Sequence, residues 1–225
     1  MMPNNIQKWL SYFTEIHIES VTSDYNEELE VLLNNGRYQL CTPNAVYSYA
    51  DKYSNFGDSF LQLNLDTPVI RNVLLLGFGL GSIPYMLEKK FAKKYSYTGV
   101  EIDEAVIYLA SKYVLDDLVS DIELVQADAY VFVCQNQTKY DLICIDIFID
   151  DKIPDIFLST DFLSTAAANL SETGFIMFNH LAHLKTDILH SDTYYKDVFS
   201  AYFPKGTYIQ VRKNRMMISD ASRLK

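Results

Sequence analysis

Positive charge is scarce in this chain of 225 residues: 19 Lys and Arg stand against 29 Asp and Glu, a formal net charge of −10 at pH 7, with a pI near 4.8. Nucleic acid phosphates are held by clustered Lys and Arg, so the balance argues against a surface built for that partner. The two short basic runs, Glu88 to Lys94 and Val211 to Arg215, read as a helix C-terminus, where cations are favoured, and as a turn. Cysteine is rarer still. Cys41, Cys134 and Cys144 are odd in number, far apart and set in apolar or strand-like contexts. That fits neither a disulfide framework nor a zinc knuckle, and it points to a reducing, cytoplasmic compartment. No stretch approaches the roughly 20 apolar residues of a membrane span, and "MMPNNIQKWLSYF" at the start lacks the apolar core of a signal peptide. Eight Gly and six Pro leave no Pro/Gly linker, and there is no low-complexity segment or internal repeat.

What is present is apolar. Hydrophobic residues make up 49% and charged residues 21%, the balance of a folded globular protein. The length suits one sizeable core, or one α/β domain with a small appendage. The first fifty residues read as that appendage. After a short helical segment around Ile6 to Phe13, "EIHIESV" alternates with period two, and "ELEVLLNNGRYQLCT" holds two strand-like runs joined at Asn35-Gly36, a strong hairpin signal. A small antiparallel β unit of about three strands over residues 1–50 is expected, followed by a main domain over residues 51–225.

From Pro68 strands and helices alternate: "VIRNVLLLGFG", "SIPYMLEKKFA", "SYTGVEID", "EAVIYLASKYV", "IELVQAD", "YDLICIDIF", "STDFLSTAAANL" and "TGFIMFNH". The last helix can be capped by Ser159 or Thr160. This is the texture of an α/β fold with a doubly wound, mostly parallel sheet. "GTYIQVRKNRMMISD" then reads as two strands about the turn Arg212 to Asn214. A closing antiparallel hairpin favours the methyltransferase variant of the nucleotide-binding sheet over the dinucleotide-binding one.

Gly77, Gly79 and Gly81 end an apolar strand, where missing Cβ atoms let the backbone approach a ligand; a merely tight turn is the alternative. Twenty residues on, Glu101 closes the next strand, where a carboxylate can accept bonds from both ribose hydroxyls. NAD binding asks for Gly or Ala at the sixth position of the glycine pattern, and here it is Ser82. Asp128, followed by the small Ala129, ends the third strand; an acid there can accept from an adenine amino group while the next backbone N–H meets a ring nitrogen. The three elements together favour S-adenosylmethionine or a close relative, without a metal.

At these residues the chain resembles the spermidine/spermine synthases, aminopropyltransferases on the class I S-adenosylmethionine-dependent methyltransferase fold. The likeness runs from about Glu28 to about Asn179 through "NGRYQL", "VLLLGFGLG", "GVEID", "ADAY", "YDLICIDIF" and "IPDIFLSTDFL". It implies that Gln39 contacts the nucleoside cofactor, Glu101 the ribose, Asp128 the adenine and Asp146 the reacting centre. A carboxylate at Asp146 can take a proton from an incoming amine or orient it; a strand-end acid without chemistry is the alternative. Two departures stand out: Leu80 occupies the family's acidic position in the glycine loop, and Ile149 the position of the acid three residues after the catalytic one. Asp150, Asp151 and Asp155 regroup nearby or simply solvate a loop. Tyr47 is a candidate pocket wall, although core packing suits the cluster of Tyr47, Tyr49, Tyr53, Phe56 and Phe60 better. Asn179, His180 and His183 follow the fifth strand near the same edge of the sheet, the two histidines being more simply read as ordinary structural residues.

The expectation is a spermidine-synthase-like transferase. It would bind S-adenosylmethionine or its decarboxylated form and move a methyl or aminopropyl group to a small nucleophile, an amine among the candidates. Leu80 tilts this toward S-adenosylmethionine itself, whose carboxylate an acid would repel. A genuine polyamine aminopropyltransferase with relocated carboxylates, and a non-catalytic nucleoside-binding protein, are the alternatives. A homodimer is expected from the resemblance and from the exposed edges of the β unit.

Overall fold

The chain first turns back on itself at Asn35-Gly36, where both residues take positive φ, 50° and 72°, as a two-residue turn matched to strand twist requires. The structure, a computed structural model, describes residue 3 and residues 5–225. Helix α1 (Asn5–Leu10) precedes strands β1 (Ile16–Val21), β2 (Leu29–Asn34), β3 (Arg37–Cys41) and β4 (Val46–Ser48). These form an antiparallel sheet in that order. The fourth strand exceeds the three expected; at three residues it is too short for a period-two pattern to register. In β2, Leu29, Val31 and Leu33 are fully buried. Leu29 and Val31 join Leu40, Phe56 and Phe60 in one cluster, which seats the small sheet on the rest of the chain.

The larger sheet comprises β5 (Asn72–Leu76), β6 (Ser96–Glu101), β7 (Asp121–Gln126), β8 (Tyr140–Ile145), β9 (Leu170–Leu181), β10 (Thr207–Val211) and β11 (Asn214–Ile218). Its order is β10-β11-β9-β8-β5-β6-β7. The pairs from β9 to β7 are parallel, whereas β11 lies antiparallel between β9 and β10, the closing hairpin expected. Helices α2 (Ser54–Phe60), α3 (Ser82–Lys89), α4 (Glu104–Tyr113), α5 (Ala129–Gln135), α6 (Thr160–Ala168) and α7 (Lys185–Tyr194) cover it.

β5 and β8 are apolar without alternation because both faces of the central strands are covered. Leu75, Cys144 and Met177 pack on one side with Ile83, Leu87 and Leu109. Leu74, Ile143 and Phe178 pack on the other with Val133, Phe162 and Leu163. Each such fully buried side chain contributes about 1.5–3 kcal/mol. Side chains of Asp103, Asp128 and Ser159 accept from the first-turn amides of α4, α5 and α6, so Ser159 rather than Thr160 is the cap. The winding reverses between β5 and β8, the crevice where sheets of this kind bind ligands. Among the described residues no helix is long and apolar enough to cross a membrane.

Candidate active site

A cleft of about 840 Å³ opens over that reversal, lined from the sheet by Gly77, Glu101, Asp128, Asp146 and Asn179 and from the small sheet by Tyr47. Gly77 has φ 85°, and a Cβ there would collide with the Asp146 carbonyl oxygen. The turn after β5 can therefore lie against the end of β8 only without a side chain. Gly79 also lines the cleft, whereas Gly81 does not: it is the N-cap of α3.

Glu101 is tied to the backbone around it. One carboxylate oxygen accepts from the amides of Phe78 and Gly79, at 3.1 and 3.3 Å; the other accepts from Ile102 and Asp103, at 3.0 and 3.2 Å. Burial pushes its pKa up, against the pull of these donors. Asp128 uses Oδ1 to cap α5, accepting from Val131 at 2.9 Å; Oδ2 has no partner among the described residues. Ala129 opens that helix, where backbone N–H groups have no intrahelical acceptor.

Asp146 follows β8 at the floor of the cleft. Its Oδ1 accepts from Asn179 Nδ2 at 2.9 Å, and the Tyr53 hydroxyl faces the same carboxylate. Asn179 is fully buried, and its own oxygen accepts from Asn214 Nδ2 at 2.9 Å. Burial is the main reason the Asp146 carboxyl is pushed up to about 6, with the Glu101 charge adding to it. Burial and then the Asp146 charge drive the Tyr53 phenol well above its ordinary value.

Tyr53 and Asn214 are site residues that sequence reasoning missed. Tyr53 lay in an aromatic run that reads as packing, and Phe56 and Phe60 do pack, with no exposure at all; the phenol of Tyr53 instead reaches the acid. No local pattern marks Asn214, which reaches the site through the pairing of β11 with β9.

Other candidates are placed differently from one another. The Tyr47 hydroxyl accepts from the Asp150 amide at 2.5 Å and donates to Asn26 at 3.0 Å, and burial pushes its pKa up to about 12. Asp150 lines the cleft, but its carboxylate clasps the small sheet, accepting from Thr42 Oγ1 at 2.7 Å and Asn44 Nδ2 at 2.6 Å; the Thr42 bond is the first reason its pKa is lowered. Gln39 is not brought to the cleft. Strand alternation turns Leu40 into the core and Gln39 to the opposite face, where it bonds Asn34 and Cys41. Leu80 is 2% exposed and packs in the core rather than lining the cleft, so its side chain does not meet a ligand's carboxylate there. Ile149 does line it. His180 is buried, stacked on Tyr194 with centroids 4.7 Å apart, and lies outside the cleft; burial first and the Arg215 charge second lower its pKa to about 3. His183 is exposed at the cleft's edge.

The strand order, the glycine turn and the cleft above the reversal define a fold of the class I methyltransferase type. The chain belongs to the methyltransferase small domain family, whose model matches residues 37–201. Among curated proteins it is similar to the "Probable polyamine aminopropyl transferase" of Bifidobacterium longum (strain NCC 2705), 32% identical over 108 residues, 48% of this chain and 24% of that protein. It is also similar to the "Polyamine aminopropyltransferase" of Vibrio vulnificus (strain CMCP6), 27% identical over 142 residues, 62% of this chain and 47% of that protein. The chain thus aligns with less than half the length of either relative. Among solved structures, a spermidine synthase in complex with the transition state analogue AdoDATO aligns with a TM-score of 0.69 at 18% identity, covering 90% of this chain and 73% of that one. Human methyltransferase-like protein 13 in complex with SAH aligns with a TM-score of 0.57 at 20% identity, covering 72% and 78%. At such identities the two structures show the shared fold.

Proposed function

We propose that the protein is an S-adenosylmethionine-dependent transferase acting on a small nucleophile. The observation that carries the reading is that Glu101, Asp128 and Asp146, at the ends of three parallel strands, line one cleft with Gly77 and Gly79. The residues fit the nucleoside: two glycines leave room against the backbone, Asp128 Oδ2 is an unengaged acceptor, and Ala129 offers a helix-start amide. Glu101 would hold the ribose, and Asp128 with Ala129 the adenine. When bound, the nucleoside supplies a carbon made electrophilic by its sulfonium. Asp146, with a pKa pushed up to about 6, is mostly ionised at neutral pH yet basic enough to accept a proton from an attacking amine. Tyr53 and Asn179 aim that carboxylate, and the rest of the catalysis is positioning.

Methyl transfer and aminopropyl transfer differ in which nucleoside is used. The names of the two curated relatives favour the aminopropyl reading. The lack of acids at Leu80 and Ile149 favours methyl transfer, since each lost charged partner forgoes about 1.5–3 kcal/mol of substrate binding. Calorimetric titration with S-adenosylmethionine, its decarboxylated form and methylthioadenosine tests this. Tighter binding of S-adenosylmethionine is expected, a preference for the decarboxylated form would favour the polyamine reading, and no binding at millimolar concentration would leave neither enzyme reading standing.

A further inference from the structure

The carboxylates around the cleft are largely engaged by the protein itself. Glu101 accepts four backbone bonds, Asp103 accepts from Ser23, Asn26 and Ala105, and Asp150 from Thr42 and Asn44. The cations differ. Lys52 immediately precedes Tyr53 and Lys213 immediately precedes Asn214, so each stands one residue from the bonded group around Asp146. Both line the cleft and are exposed. Among the described residues neither ammonium has a hydrogen bond or an ion pair. The neighbouring Arg212 is paired with Asp58 at 3.1 Å, which fastens the β10–β11 turn to α2, the helix that follows Lys52.

The reacting end of the cleft therefore carries unpaired positive charge beside one buried, hydrogen-bonded carboxylate. A diamine brought there would meet two ammonium groups of its own sign. Ile149 stands at the position where the resemblance places an acid. An anionic group would be attracted to both lysines.

We propose that the acceptor is a small molecule bearing a carboxylate or phosphate, held by Lys52 and Lys213 while its nucleophile addresses Asp146; this rests on the transferase reading above. The carboxylate of S-adenosylmethionine has the same chemistry, so the test must separate the two sources.

The test is calorimetry on the full chain saturated with methylthioadenosine, using 4-aminobutanoate, 2-aminoethyl phosphate and 1,4-diaminobutane as probes. An anionic probe is expected to bind at least tenfold more tightly than the diamine, and Lys52→Gln and Lys213→Gln each to weaken it five- to tenfold without moving methylthioadenosine affinity. Equal or tighter diamine binding, no binding by any probe, or unchanged anion affinity in both variants overturns the proposal. So does a loss confined to S-adenosylhomocysteine, which would assign the lysines to the nucleoside's carboxylate. Failure of the transferase reading is distinct: the unsubstituted protein would then bind no nucleoside in the first titration.

Discussion

The Asn179 amide donates to Asp146 at 2.9 Å and is itself anchored by Asn214 at 2.9 Å. Two strands of the closing hairpin region thus aim the acid that ends β8. Removing the middle member, Asn179→Ala, leaves a buried carboxylate short of a donor, at a cost of about 1–3 kcal/mol. The Asn179 bond lowers the pKa of Asp146, so its loss raises it. Transfer in the unsubstituted protein should fall as pH drops through about 6, and in Asn179→Ala that limb should move to higher pH. A pH–rate profile that does not move would show that Asn179 has no part in tuning the acid.

Asp146→Asn should retain nucleoside affinity within a few-fold and lower transfer by about 10²-fold or more, the usual contribution of a positioned acid or base. Its stability effect has a definite sign. A carboxyl whose folded pKa is raised stabilises the fold fully below its ordinary value of 3.8 and loses that contribution as pH rises through about 6. Above pH 6 the ionised group therefore opposes folding, and the amide should gain about 1–3 kcal/mol there. Urea unfolding at pH 5 and pH 8 should show the larger gain at pH 8.

Glu101→Ala should abolish nucleoside binding and also loosen the loop that Glu101 ties down. Glu101→Gln is the sharper variant. It turns one acceptor into a donor facing two backbone N–H groups, a mismatch worth about 1–3 kcal/mol in stability. Thermal melting with and without methylthioadenosine separates the two effects, and full affinity in the alanine variant would refute the placement of the ribose.

Gly77→Ala places a Cβ into the Asp146 carbonyl at a positive φ. The left-handed backbone alone costs on the order of 1–3 kcal/mol, and relieving the collision must move the catalytic acid. Lower melting temperature and lost transfer should appear together; a well-folded, fully active variant would contradict the geometry.

His180 is held neutral by burial, with a pKa near 3. Unfolding lets it take a proton at its ordinary value of 6.5, so its contribution to stability is present above that pH and is lost as pH falls toward 3. The slope is on the order of 1.4 kcal/mol per pH unit. His180→Phe, which keeps a ring against Tyr194, should flatten the loss of stability between pH 6 and pH 4, as read by melting temperature at each pH.

Local physics made much of this molecule legible. The period of β5 and β8, the left-handed turn at Asn35-Gly36 and the capping carboxylates of Asp103 and Asp128 each depend on neighbours within a few residues, so sequence alone determined the α/β class, the closing hairpin and the acids at successive strand ends. What it could not determine was which polar groups are free. Thr42 and Asp150 are 108 residues apart, and Asn179 and Asn214 are 35 apart; strand order and loop approach bring them together. Those contacts turn Asp150 into a clasp, bring Tyr53 to Asp146, send Gln39 and Leu80 away from the cleft, and leave Lys52 and Lys213 without partners. Hydrogen bonds form between groups that folding makes adjacent, and adjacency across a sheet belongs to tertiary structure.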